Sequence, residues 1–314
     1  MKKVAFLFPG QGSQAVGMGK DLYENFESAK EVFDTADSTL GKSITKICFE
    51  GPEEDLKQTI NTQPSIVTMS IAAMEALRSQ VNIVPDYVAG HSLGEYCALF
   101  TAGVMSLEST LKAIQKRADL MGATKGGSMA AVLNATEEQL KAGLEEGSKV
   151  GYVDVANYNS PAQVVITGAD DAVKAASDYL LANGVRRVVP LAVSGAFHSK
   201  FMEEAGKEFA AFVSELELNN ASIPVITNVD AQATTNADDF RAKMPKQIYS
   251  SVHWTQTIQK MIEEGVDTFI EIGPGKVLAG LNKKIAPEAT VYNVFDKASL
   301  DATIEALKEN MVGV

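Results

Sequence analysis

Tyr87-Val88-Ala89-Gly90-His91-Ser92-Leu93-Gly94-Glu95-Tyr96-Cys97-Ala98-Leu99 is the stretch on which the fold turns. Tyr87 to Ala89 predict a short buried strand, and an apolar helical pattern runs from Leu93 to Gly103. Between them, Gly90 and Gly94 bracket Ser92 at two residues on either side and permit a tight turn. Strand, sharp turn and helix in direct succession point to an α/β domain with a mostly parallel sheet. The same spacing lifts the serine out at the sheet edge. It leaves the Leu93 N–H free to face a developing oxyanion, and the helix start adds favourable dipole charge. Ser92 is therefore the candidate nucleophile. A plain helix-capping serine is the alternative, which the strand before it and the apolar helix after it disfavour.

Working outward, Val4–Phe8 reads as a buried first strand running into the Gly-rich loop Pro9-Gly10-Gln11-Gly12-Ser13-Gln14. Further helical patterns lie near Leu22–Ala36, Pro64–Leu77 and Leu107–Met121. The pattern changes at Lys125-Gly126-Gly127. From there the reading is strand 128–133, helix 136–146, strands 152–157 and 163–167, helix 170–183 and strand 186–190. That βαββαβ order is a ferredoxin-like arrangement. The expected organisation is a large α/β unit from residues 1–125 and 195–314, carrying an inserted small unit at 126–194. The second half of the large unit reads as helix 200–216, strand Ile223–Ile226, helix 254–264 and strand Thr268–Ile272. After the turn Gly273-Pro274-Gly275 come helix 276–284, strand Val291–Val294 and helix 299–310.

The chain has 314 residues, 46% of them apolar and 22% charged, enough to bury a sizeable core. Its net charge of −12 argues against nucleic acid or an anionic membrane as the main partner. Two isolated cysteines, Cys48 and Cys97, fit a reducing compartment and no metal-ligand spacing. The apolar run after Met1-Lys2-Lys3 is shorter than a signal core, and no stretch approaches a membrane span. A cytoplasmic enzyme is expected.

A serine hydroxyl needs a base. The three histidines are His91, His198 and His253. His91 adjoins the nucleophile on a tight turn and should point away from it, shaping the site. His253 sits at a helix start beside Trp254, which suits a structural or capping role. His198 lies in the small-residue loop Ser194-Gly195-Ala196-Phe197-His198-Ser199, returning from the inserted unit, where a cleft should form. Elimination makes His198 the base. No acidic residue between Ser92 and His198 stands out as its partner, Asp154, Asp170 and Asp171 included, so a backbone carbonyl or an amide is expected to orient the imidazole. The Pro9–Gln14 loop has neither a dinucleotide fingerprint nor a P-loop lysine; it suits an oxyanion donor or a plain connection. Arg117 falls roughly 80° from the centre of its helix's apolar face. Periodicity alone places it at the border of that face, as a snorkelling surface arginine or a bidentate carboxylate ligand, and favours the former.

Four ordered motifs, Phe8-Pro9-Gly10-Gln11-Gly12-Ser13-Gln14, Gly90-His91-Ser92-Leu93-Gly94-Glu95-Tyr96, Ala196-Phe197-His198-Ser199 and Glu271-Ile272-Gly273-Pro274-Gly275, together make the chain closely resemble the malonyl-CoA:acyl-carrier-protein transacylases of bacterial fatty-acid synthesis. The resemblance spans essentially the whole chain. It implies an α/β-hydrolase-like domain with a ferredoxin-like insertion, and ping-pong transfer of malonyl from malonyl-CoA to the phosphopantetheine thiol of acyl carrier protein. By this resemblance Ser92 carries the ester and His198 is base and then acid. The amides of Gln11 and Leu93 form the oxyanion hole, the main chain of Gln247 orients the histidine, and Arg117 holds the malonyl carboxylate. Gln63 and Asn157 match polar positions near the pocket. No metal or bound cofactor is implied beyond the CoA thioester substrate. A hydrolase, or a stand-alone polyketide-type acyltransferase, on the same scaffold are the competing expectations. The densest basic pairs, Arg186-Arg187 and Lys283-Lys284, are candidates for docking the carrier protein, the latter expected beside the Gly273–Gly275 turn.

Overall fold

A computed structural model describes residues 2–310. Ten strands are present in it: β1 Lys3–Phe8, β2 Tyr87–Gly90, β3 Ser128–Leu133, β4 Val153–Ser160, β5 Gln163–Gly168, β6 Arg187–Pro190, β7 Val225–Ile226, β8 Ala233–Thr234, β9 Val266–Ile272 and β10 Thr290–Val294. They form two sheets. The first has the order β10-β9-β1-β2-β7-β8 and is parallel from β10 to β7, with β8 antiparallel at one edge. The second is antiparallel, in the order β4-β5-β3-β6.

β1 is apolar from Val4 to Phe8 because both faces of the parallel sheet are covered. Its alternation sorts the core. Val4, Phe6 and Phe8 face one cluster with Val88 and Ile270, while Ala5 and Leu7 face another with Ala89, Trp254 and Phe269. In register, Phe8 lies beside Gly90 and Leu7 beside Glu271. The turns after β1, β2 and β9 therefore emerge at one edge. The chain leaves β1 toward β2 on one side and returns through β9 on the other, which opens a crevice at the carboxyl ends of these strands. The second sheet sorts likewise. Ala130 and Val132 pack under helices Glu137–Ser148 and Asp170–Ala182, while Met129 and Ala131 join the main core.

Several boundaries depart from the sequence reading. Leu22–Ala36 is two helices, Lys20–Asn25 and Glu27–Leu40, separated by the extended residue Phe26. Helix Thr59–Gln80 begins well before Pro64. A proline cannot donate to the carbonyl four residues back. The freed Ile60 carbonyl instead accepts from Lys42 Nζ at 3.0 Å and Gln115 Nε2 at 3.2 Å, so two other elements satisfy it. Helices Ile44–Glu50, Glu53–Lys57 and Ala237–Gln247 have too little apolar periodicity to be read from the sequence. Among the described residues, no helix is long and apolar enough to cross a membrane.

Candidate active site

β2 delivers Ser92 through a turn that only glycines allow. A Cβ on Gly90 would lie 1.9 Å from the Gly94 carbonyl, and one on Gly94 would lie 2.2 Å from the Phe8 carbonyl oxygen. Ser92 itself has φ 52°, a left-handed conformation that costs a non-glycine residue about 1–3 kcal/mol. Amide side chains hold it there. Ser92 N–H donates to Asn228 Oδ1 at 2.8 Å, and Ser92 C=O accepts from Gln247 Nε2 at 2.8 Å. A 3₁₀ turn, Ser92–Gly94, then feeds helix Glu95–Thr101.

His198 also has a positive φ, 53°, and is buried. Its Nδ1 faces two carbonyl oxygens, Gln247 O at 2.9 Å and Ser250 O at 3.1 Å. Carbonyls only accept, so Nδ1 carries the proton and Nε2 keeps its lone pair. That lone pair faces Ser92 Oγ at 2.8 Å. Burial, reinforced by the nearby Arg117 cation, pushes the imidazole down to about 3, so it is neutral at physiological pH. The orienting groups are carbonyls where many serine enzymes place a carboxylate.

Arg117 is 0% exposed, which corrects the surface placement that periodicity favours. Helix Thr59–Gln80 and the end of helix Ala237–Gln247 close over it. Its Nη1 donates to Gln63 Oε1 at 2.7 Å, and its Nη2 to Gln247 Oε1 and Ser92 Oγ, each at 3.0 Å. The guanidinium carbon lies 5.7 Å from the centroid of the Tyr96 ring, a favourable cation–π distance. Among the described residues no carboxylate pairs with Arg117, and its Nε has no partner. A buried cation held only by neutral acceptors is ready for an anion.

Ser92 and His198 border a cavity of about 310 Å³, and Arg117 reaches it through its hydrogen bond to Ser92 Oγ. Gln11, Gly12 and His91 line it too, and Met121, Met129, Leu191, Val193 and Phe197 are apolar residues of its lining. Gln63 and Asn157 also line it. Arg117 and Gln247 join these residues through their hydrogen bonds to Ser92, and Leu93, its neighbour in sequence, is buried. His91 turns away from the nucleophile, its Nε2 lying 2.7 Å from Asn159 Oδ1, and His253 stacks on Tyr158 without capping its helix. Lys283 and Lys284 are displaced from their expected place. Helix Val277–Ile285 runs back across the sheet, and its end borders a groove shared with Val266 and Asp267 at the start of β9, the edge opposite the crevice.

Two residues at the site were missed in the sequence, Asn228 and Glu95. Asn228 is 0% exposed; its Nδ2 donates to Gly90 O at 2.7 Å, and its own N–H donates to Glu95 Oε2 at 2.7 Å. Burial raises the Glu95 carboxyl to about 7, against the pull of that N–H and of Arg117. The sequence gives little signal for either, because Thr227-Asn228-Val229-Asp230 reads as, and is, the turn that follows β7.

The sequence matches the acyl transferase domain family over residues 5–301. It is 43% identical to the malonyl CoA-acyl carrier protein transacylase of Bacillus subtilis over 98% of both chains. The acyl carrier protein S-malonyltransferase of Vibrio cholerae superposes with a TM-score of 0.93 at 40% identity, covering 96% of this chain and 100% of that one. A malonyl-transacylase solved in complex with its type II PKS acyl-carrier protein gives 0.94 at 35% identity, covering 97% and 100%. With a serine hydroxyl, a neutral histidine and a buried cation meeting in one crevice, this chain belongs to the acyl transferase domain family, among its malonyl CoA-acyl carrier protein transacylases.

Proposed function

We propose that this chain moves a malonyl group from malonyl-CoA to the phosphopantetheine thiol of an acyl carrier protein, through an ester on Ser92, in fatty-acid synthesis. The observation that carries this reading is Ser92 Oγ lying 2.8 Å from the free lone pair of His198 and 3.0 Å from the Arg117 guanidinium. In the first half-reaction Ser92 Oγ attacks the thioester carbonyl while His198 Nε2 takes its proton. The oxyanion is received by the amides of Gln11 and Leu93. Collapse breaks the C–S bond, and His198 returns the proton to the departing CoA sulfur. The carrier-protein thiol then enters, gives its proton to His198 and attacks the ester carbonyl. Ser92 leaves as its alcohol.

Arg117 anchors the substrate's free carboxylate. Its fork binds two carboxylate oxygens in parallel, and displacing the Ser92 contact leaves Gln63 and Gln247 to hold the guanidinium. Gln247 orients His198 through its main-chain oxygen, and Asn157 offers a buried amide to the acyl group. We further read residues 1–125 and 195–314 as an α/β-hydrolase-like catalytic domain and 126–194 as a ferredoxin-like insertion. The strand order β6-β3-β5-β4, wholly antiparallel with both helices on one face, supports the second part. A cytoplasmic location fits two buried, unbridged cysteines.

Intact-protein mass spectrometry after incubation with malonyl-CoA tests the reading. One malonyl adduct is expected on the wild type and none on Ser92→Ala. An adduct persisting in Ser92→Ala, or mapping to Cys97, would overturn the assignment.

A further inference from the structure

β7 ends at Ile226, and β2 loses its strand geometry as the chain turns into Ser92. Up to that point the two strands pair as a parallel ladder, Val88 N–H donating to Pro224 O. Beyond it the turn keeps a backbone bond to β1, His91 N–H donating to Phe8 O at 2.9 Å, while β7 has already ended. The Asn228 side chain takes that place. Its planar amide presents one acceptor and one donor, as a peptide group does, and engages two backbone groups of the turn. Oδ1 accepts from Ser92 N–H at 2.8 Å, and Nδ2 donates to Gly90 O at 2.7 Å. Oδ1 also receives Gln247 Nε2 at 3.3 Å. Because Gln247 O holds His198 Nδ1, one amide side chain ties the backbone of the nucleophile to the support of the base.

We propose that Asn228 is a positioning residue for acylation, fixing the left-handed backbone of Ser92 and its register against His198, and that Glu95 holds Asn228 in place. This rests on the malonyl-transfer reading above. Glu95 sits on the first turn of the helix that follows the nucleophile, 2% exposed, and accepts the Asn228 backbone N–H at 2.7 Å. The bracing is reciprocal: the helix holds Asn228, and Asn228 holds the turn from which that helix grows. Other side chains fail on chemistry. An ionised carboxylate can accept from Ser92 N–H but repels Gly90 O, and a hydroxyl is too short to span both groups. The charged and titratable groups around this amide include Glu95, Arg117, His91, His198 and His253, with Asp230 and Lys243 beyond Glu95.

The test is single-turnover acylation by malonyl-CoA, followed as CoA release, on wild type, Asn228→Ala and Asn228→Asp. Misplacement of reacting groups by an ångström costs about 10²-fold in rate, so Asn228→Ala should lose about that much. Its half-saturating malonyl-CoA concentration should stay within about threefold, because the carboxylate contacts of Arg117 are untouched. Asn228→Asp adds a readout that a merely structural role would not move. The introduced carboxyl, once protonated, again offers one acceptor and one O–H donor in the amide's geometry. Its rate relative to wild type should therefore climb as pH falls from 8 to 5, while that of Asn228→Ala stays level. Should Asn228→Ala fail to fold, the Asn228→Asp pH ratio carries the test alone. A folded Asn228→Ala acylating within threefold of wild type, or a flat Asn228→Asp ratio, overturns the positioning role. Absence of CoA release from the wild type itself would instead overturn the malonyl-transfer reading.

Discussion

β2 and β9 flank β1 on opposite sides, and each ends in a glycine turn that starts a helix at the same edge of the sheet. The two turns are put to different uses. After β9, the carboxylate of Glu271 accepts from the amides of Leu278 and Ala279 at 3.0 and 2.8 Å and from Asn293 Nδ2 at 2.9 Å. The helix start there is already occupied by an anion from its own chain. After β2, the acid in the sequence, Glu95, points back to Asn228 and leaves the Leu93 amide without a carboxylate. A helix N-terminus in a buried crevice attracts negative charge. Filled internally it stabilises the fold; kept open it can receive the charge that develops in a reaction.

Changes at the open turn should cost activity, and changes at the filled one should cost stability. The largest effect is expected for His198→Ala, which should slow acylation by about 10²–10⁴-fold, the usual contribution of a general base. Rapid-quench measurement of the Ser92 ester checks this. A comparable loss in His91→Ala with His198→Ala nearly unaffected would move the base elsewhere. Arg117→Ala comes next. Removing one partner of a buried charged pair costs about 2–5 kcal/mol, so kcat/KM for malonyl-CoA should fall by roughly 30- to several-thousandfold while acetyl-CoA is spared. Arg117→Lys should recover little, since an ammonium lacks the planar fork. Competition between the two thioesters reads the ratio; an unchanged ratio excludes carboxylate recognition by this residue. The pH profile of the same variant sharpens the point. The cation and burial together hold His198 down at about 3, so removing the cation raises it and moves the acid limb of kcat/KM upward.

Glu271→Gln should have the smallest effect on turnover, within about twofold, because it touches the filled turn alone. It leaves an N–H group facing N–H donors, and unfolding in urea at pH 8 should show a loss of about 1–3 kcal/mol. Burial lifts the Glu271 carboxyl to about 7, so at that pH the wild-type group is ionised and all three donors are engaged. A stable variant with crippled catalysis would mean that the two turns are not separated in function.

Contiguous chemistry was legible. The strand, the glycine spacing and the apolar helix around Ser92 each carry their signal in adjacent residues, and His198 emerged because only three histidines exist. The antiparallel strands of residues 128–190 are short apolar runs set off by helical and turn segments, and their edges shift by three residues at most. Arg117 shows where this stops. A helical wheel assigns it an angle, but what covers that angle is Gln63 from one helix and Gln247 from another, 54 and 130 residues away. Lys283 and Lys284 show the same limit: nearness to a turn in sequence says nothing about which end of the sheet a helix reaches.

By itself, then, the order of residues determined the sheet's first strands and the glycine turn that carries Ser92, and it singled out His198 as the candidate base, because turn geometry and hydrophobic alternation act over a few residues. Tertiary structure alone decided that a second carbonyl, Ser250 O, joins Gln247 O at His198 Nδ1, that Arg117 is buried with no carboxylate partner among the described residues, and that the Asn228 side chain bonds the backbone beside Ser92. Each of these joins groups separated by 25 to 138 residues. Such contacts depend on which faces pack together, and that is settled by burying the whole core at once.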